Sequence, residues 1–346
     1  MSKQIILDGH NDVLMKLEAA RRIGQPIDFF KQQAELEIDA VKAQQGGFCG
    51  GLFAMYTNNL VLGAEDMQVG KNPTDAYDYK ISLDRVSGMM AEARRLVRAG
   101  DGYVEICTTA DELERAALAH KMGIMLHIEG CEAIDANFNS LEMLYSAGLR
   151  SLGPVWSRDN IFAVGVPFDF PLHPDQGAGL SDLGVELINL CNQMNIMVDL
   201  SHINEKGFWD VAKYSEKPLM ATHSNVYNLC NTARNLTDKQ LDAIADTGGI
   251  VGLNFATGFL NADGDMDGQA SLETMIKHTD YMLAKLGEDG VALGSDFDGA
   301  PMPTEVKSTA QLPNLIQAFK NTGYSAELID KICYKNWLSH MRKSGL

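Results

Sequence analysis

A closed (β/α)8, TIM-like barrel is the fold class this sequence predicts, and three observations predict it. Short apolar runs alternate eight times with longer amphipathic ones along the chain. No Gly-x-Gly-x-x-Gly follows the first run. That removes the usual dinucleotide-binding form of the open doubly wound sheet, which shares the same local pattern. Ligand-type residues follow the first, third, fifth, sixth and eighth runs, and only a ring makes such separated strand ends converge.

The strand candidates span 5–7, 51–56, 123–128, 151–156, 196–200, 219–222, 250–255 and 291–294. Most are four to eight residues of Val, Ile, Leu, Phe or Met, which suits strands buried on both faces of a parallel sheet. A ninth apolar run, 103–107, is either an accessory strand or a slip in this numbering. Among the helices, 75–99 carries Ile81, Val86, Met89, Ala93 and Leu96 at spacings near 3.6. The helix over 181–195 opens on a Ser cap. The one over 237–247 starts on a Thr-Asp-Lys-Gln capping box and stops at Gly248-Gly249. Helices over 110–120, 271–286 and 325–341 complete the set. Gly-, Pro- and Asn-rich stretches at 58–73 and 162–179 read as long loops over the mouth. No internal repeat or linker divides residues 1–346, so a single barrel domain is expected.

Composition narrows the function classes. The 346 residues are 45% hydrophobic and 22% charged, with a formal net charge of −17. That balance speaks against a nucleic-acid or anionic-membrane partner, which needs a basic face. The six cysteines are scattered without a Cys-x-x-Cys pair, as for buried thiols in a reducing compartment. The first apolar run is too short for a signal-peptide core, and no stretch approaches the roughly 20 apolar residues of a membrane span. The expectation is a soluble, cytoplasmic protein.

His10 and Asp12 sit two residues apart at the end of the first strand, so both side chains share one face. With Glu129, His202 and His223 they offer three imidazoles and two carboxylates. One bridging carboxylate lets such a set hold two divalent cations, and Glu129 on a central strand is the natural bridge. Nitrogen and oxygen donors without thiolate suit a pair of zinc ions, with manganese or cobalt as alternatives. Two metals about 3.5–4 Å apart bind one hydroxide between them and polarise a carbonyl.

Asp296, at the end of the eighth strand, is positioned to take a proton from the nucleophilic water and return it to a leaving amine. Gly294 and Gly299 flank it and are expected to let the backbone bend there. Asp298 is a partner of this site or an ordinary turn carboxylate. Arg234 binds a substrate carboxylate through its planar fork or makes a surface salt bridge. Trp156 ends the fourth strand as a core cap or a pocket wall. His127 shares strand parity with Glu129 and lies near the metals or fills the barrel. His120, His278 and His340 fall on predicted helices and are expected to face solvent. His173 belongs to a Pro-rich loop.

Six motifs together resemble the renal, or membrane, dipeptidase family of zinc hydrolases. They are DGHND at 8–12, IEG at 128–130, DLSH at 199–202, THSN at 222–225, ARNLTD at 233–238 and SDFDG at 295–299. The resemblance implies a (β/α)8 barrel of the metallo-dependent hydrolase type with a binuclear zinc centre. It implies His10 and Asp12 on one metal, His202 and His223 on the other, and Glu129 bridging. It implies Asp296 as proton shuttle, Arg234 on the C-terminal carboxylate of a dipeptide, and a homodimer that often accepts a C-terminal D-residue. The expected activity is zinc-dependent dipeptide hydrolysis by a metal-bridging hydroxide. The alternatives are a binuclear amidohydrolase for another small amide, lactam or ester, and a catalytically silent metal-binding protein. One departure stands out: Trp156 occupies the position where animal-type members carry a carbonyl-contacting histidine. Arg158 is a nearby replacement or a solvent-facing loop residue.

Overall fold

The computed structural model describes residues 3–57, 78–266 and 269–346. The loop expected over 58–73 lies outside these residues, as does the start of the helix expected over 75–99. In chain order the elements run β1 (Ile6–Asn11), α1 (Val13–Arg22), α2 (Ala40–Gly46), β2 (Phe48–Tyr56), α3 (Tyr79–Ala99), β3 (Val104–Ile106), α4 (Ala110–Leu118), β4 (Met122–Glu129), α5 (Asn139–Ser146) and β5 (Leu149–Gly153). The second half continues with α6 (Asp182–Met194), β6 (Met197–Val198), α7 (Glu205–Tyr214), β7 (Met220–Ser224), α8 (Asp238–Asp246), β8 (Ile250–Leu253), α9 (Thr257–Leu260), α10 (Leu272–Leu286), β9 (Val291–Leu293), α11 (Leu312–Thr322), α12 (Ala326–Asp330) and α13 (Asn336–Lys343).

All the strand pairs are parallel. One arc has the order β1-β2-β4-β5-β6 and the other β7-β8-β9. Two seams join the arcs into a barrel. Asp199 bridges to Met220, and Leu200 N donates to Met220 O at 2.9 Å. Asn11 bridges to Phe297, Asp12 N donates to Phe297 O at 2.8 Å, and Asp296 N donates to His10 O at 3.0 Å. The run at 103–107 is accessory: β3 pairs with the first residues of β4, on the edge that β5 takes over from Leu126 onward.

Leu7, Leu52, Met125, Met197, Met220 and Ile250 form an apolar cluster with Trp337 and Met341 of α13. Trp337 is fully buried, and its indole N–H donates to Leu293 O at 2.9 Å. Gly9 permits this packing, since a Cβ there would lie 2.3 Å from the Trp337 ring. A larger cluster lines the outside of the strands beneath the helices.

Caps set several helix ends as the sequence predicts. Ser181 accepts from Gly184 N, and Thr237 and Gln240 complete a reciprocal capping box. Two expectations fail. His278 and His340 are buried, not solvent-facing. His278 Nδ1 accepts from Val226 N at 3.2 Å and its Nε2 donates to Leu260 O at 3.1 Å, so it braces the loop after β7. The helix expected over 325–341 divides at a π-helical turn, Lys331–Lys335.

Candidate metal centre

Every expected ligand lies at the C-terminal mouth of the barrel. His10 comes from β1, and Asp12 stands just beyond it as the residue before α1. Glu129 ends β4, His202 follows β6, and His223 lies in β7. All five are buried, none more than 5% exposed. Glu129 Oε1 lies 2.9 Å from His202 Nε2, 3.4 Å from His223 Nε2 and 3.5 Å from His10 Nε2. Asp12 Oδ2 is 3.5 Å from His10 Nε2, and the Nε2 atoms of His202 and His223 are 3.1 Å apart. Donors about 2.0–2.1 Å from a shared tetrahedral ion stand roughly 3.3 Å from one another.

Among the described residues, three groups have ligand atoms close enough to share an ion: Glu129, His202 and His223; His10, Asp12 and Asp296; and His10, Asp199 and His223. The donor set fits divalent cations on a further ground. His10 has neither ring nitrogen in a hydrogen bond, and Asp12 Oδ1 is likewise unpartnered, although all three atoms are buried. Such groups are costly to desolvate unless something else satisfies them.

Neighbouring hydroxyls aim the imidazoles. Thr222 Oγ1 donates to Asp199 Oδ2 at 2.7 Å, so its lone pair takes the Nδ1 hydrogen of His223 at 2.8 Å. That leaves the His223 Nε2 lone pair directed at the centre. His202 Nδ1 shares a hydrogen with Ser157 Oγ at 2.8 Å. Asp199 also accepts from Ser201 N, Ser201 Oγ and Thr222 N, so its oxygens are committed to orienting rather than ligating. Asp199 and Thr222 are not among the ligand candidates that the sequence offers. Their signal was in the DLSH and THSN motifs, a carboxylate and a hydroxyl beside the histidines.

The electrostatics follow from burial. Burial opposes charge on His10, but the Glu129 and Asp12 carboxylates outweigh it and raise the imidazole to about 10. Burial holds His202 and His223 well below the ordinary histidine range, with Arg234 adding to the effect. Burial also raises Glu129 and Asp296. Cations held here would take the place of the protons that burial favours on Glu129 and Asp296 and would find His202 and His223 already unprotonated.

Asp296 lies past β9 with φ of +64°, and Asp298 has φ of +68°. These two residues, not the flanking glycines, take the left-handed backbone. Gly294 and Gly299 are needed for close approach: a Cβ would lie 1.9 Å from Thr222 O at the first and 2.0 Å from Asp12 Oδ2 at the second. Asp298 is more than a turn carboxylate. It is buried, accepts from Glu37 N and Ile38 N at 2.8 and 3.1 Å, and pairs with Lys16 at 2.9 Å.

Arg234 is buried and makes no surface salt bridge. It donates through Nη1 to Ser201 O and through Nη2 to His223 O at 3.2 Å, while its Nε is unpartnered. The guanidinium carbon lies 5.1 Å from the Phe259 ring centroid. Trp156 stands three residues past the end of β5, beyond the strand predicted to contain it. It lines a cavity of about 170 Å³ with Asp12, Glu129, His202 and Asp296 at its polar end. Arg158 is buried too, paired with Glu132 at 2.6 Å, and lines the same cavity. His127 lies beneath the centre, hydrogen-bonded to Ser151 at 2.9 Å and edge-on to the His10 ring at 5.6 Å.

Fold and donor set together define a metal-dependent hydrolase of the (β/α)8-barrel class. The chain belongs to the membrane dipeptidase family (peptidase family M19), whose model matches residues 1–344, and it is a metallo-dipeptidase by class. It is 43% identical over 256 residues to an uncharacterized protein in the pqqA 5′ region of Klebsiella pneumoniae, covering 74% of this chain and 94% of that one. It is 24% identical over 339 residues to dipeptidase tcpJ of Claviceps purpurea, covering 97% of this chain and 76% of the other. Among solved structures it is similar to a metallo peptidase from Rhodobacter sphaeroides liganded with a phosphinate mimic of the dipeptide L-Ala-D-Ala. That pair has a TM-score of 0.91 and 37% identity, over 99% of this chain and 100% of the other. No helix among the described residues is long and apolar enough to cross a membrane.

Proposed function

We propose that this chain hydrolyses dipeptides, including those with a C-terminal D-residue, at a pair of zinc ions. His10 and Asp12 would hold one ion and His202 and His223 the other, with Glu129 shared between them; manganese and cobalt suit the same donors. The observation that carries the reading is the single oxygen, Glu129 Oε1, within 3.5 Å of three histidine Nε2 atoms. The bound metals supply Lewis-acid polarisation of a carbonyl and a water of lowered pKa. The L-Ala-D-Ala mimic in the Rhodobacter sphaeroides structure supports the substrate class.

The chain's own groups do the rest. Asp296 takes the water's proton and delivers it to the departing amine, one oxygen fixed by Asn254 and the other free to exchange. Arg234 keeps its positive charge at neutral pH although burial lowers it to about 10, and its spare Nε donor suits a C-terminal carboxylate. Trp156 walls the substrate, its indole nitrogen offering an N–H donor but no basic lone pair. The six buried, unpaired cysteines support a cytoplasmic setting, and residues 1–346 act as one domain within a homodimer.

The test is chelation followed by titration with zinc, cobalt or manganese while L,L- and L,D-dipeptides are assayed. Activity that disappears and returns at two equivalents per chain is expected. Full turnover by metal-free protein, or no turnover of any dipeptide by the loaded protein, ends this reading.

A further inference from the structure

We propose that Phe168 makes the enzyme selective for dipeptides whose amino-terminal residue carries an apolar side chain. This rests on the dipeptidase reading above and extends it to a substrate class.

Away from the ligands, the cavity is walled by Met15, Tyr56, Trp156, Phe168, Phe259 and Met266. The aromatic rings form a connected series. Tyr56 and Trp156 have centroids 5.0 Å apart, Trp156 meets Phe168 edge-on at 5.2 Å, and Phe168 stacks on Phe259 at 6.2 Å with 8° between planes. Trp156 also lies 5.9 Å from the His202 ring, so the wall reaches the candidate ligands.

Phe168 is 44% exposed although it lines the cavity and its backbone is anchored nearby. The anchor is two residues away. Val166 N donates to His202 O at 2.9 Å, and Gly165 bridges to Ile203. The ring lines the cavity, stacked toward Phe259, and keeps part of its surface in water. A side chain lying against it removes that apolar surface from water, which is where binding energy is available.

The direction of the substrate follows from Arg234. Its guanidinium carbon lies 5.1 Å from the Phe259 ring centroid, so a carboxylate bound to Arg234 puts the C-terminal residue at the Phe259 end of the wall. The amino-terminal residue is left with Tyr56, Trp156 and the near edge of Phe168. The cation at that end, Arg158, is already paired with Glu132 at 2.6 Å, so an acidic side chain meets a neutralised partner.

The test compares kcat/KM for Leu-Gly, Phe-Gly, Asp-Gly and Gly-Gly, and their D-Ala counterparts, in the metal-loaded wild type and in Phe168→Ala and Phe168→Leu. Leu-first over Gly-first substrates should be favoured by about 10–100-fold in the wild type. That ratio should fall at least about fivefold in Phe168→Ala and return most of the way in Phe168→Leu. Equal efficiency for apolar and acidic first residues, or a ratio unmoved by Phe168→Ala, overturns the selectivity while leaving the dipeptidase reading intact. A wild type that turns over no dipeptide overturns both.

Discussion

Asn254 Nδ2 donates to Asp296 Oδ2 at 3.0 Å, and the amide has only one way to sit. Its Oδ1 accepts from Ala256 N at 2.6 Å, so the NH2 end must face the carboxylate. Its backbone is held as well, exchanging hydrogen bonds with the Asn225 side chain at 3.1 and 2.9 Å. Asn254 thus engages one oxygen of Asp296 and leaves the other for the proton transfer proposed above.

Asp296→Asn should keep both metals, measured by elemental analysis, and lose about 10²–10⁴-fold in kcat. Asn254→Ala should lower kcat about 10–100-fold with KM changed less than about threefold, because it frees the carboxylate without touching the substrate. A KM effect as large as the kcat effect would move Asn254 from positioning to binding.

Removing Arg234 should weaken substrates with a free C-terminal carboxylate by about 30-fold or more in kcat/KM. Amidated analogues should lose little, so their ratio is the measurement to make. Arg234→Lys is the companion variant, since truncation to Ala also strips Ser201 O and His223 O of a donor.

Burial lowers His278 from 6.5 to about 4. Above pH 6.5 neither folded nor unfolded chain protonates this group. As pH falls from 6.5 towards 4 the unfolded chain takes up a proton that the folded chain refuses, so stability is lost. The loss approaches about 3 kcal/mol. His278→Gln should flatten that part of the difference in denaturant midpoints between pH 7 and pH 4. Parallel profiles for the two proteins would exclude the assignment.

Trp337→Ala should destabilise the fold by about 3–5 kcal/mol, read from urea unfolding. The change removes a fully buried indole and its hydrogen bond to Leu293 O.

Much of the architecture was legible because buried parallel strands are written as dense apolar runs, and β2, β4, β5, β8 and β9 all fall on them. β6 was harder to delimit, with ladder pairing confined to Met197–Val198 inside a longer apolar run. Helix α1 was invisible because its cap position is Asp12, whose carboxylate turns to the metal centre and makes no cap hydrogen bond. The burial of His278 and His340 depends on which helix face meets the barrel, a tertiary fact that residue type does not carry. At the centre, the ligand candidates could be read from strand-end positions. The Asp199–Thr222–His223 relay could not, since it links hydroxyl and carboxylate groups across two strands. The left-handed backbone of Asp296 and Asp298 is masked in the sequence by neighbouring glycines, the residue type that ordinarily takes such a bend.

The seam between β9 and β1 has a consequence for biosynthesis. Ser295 N and Oγ donate to Asp8 across 287 residues of chain, beside the Asp296–His10 bond. A nascent polypeptide still short of that region carries His10, Asp12, Glu129, His202 and His223 without the strand that encloses them. Enclosure of the candidate centre therefore waits on a contact between segments 287 residues apart, the docking of β9 against β1.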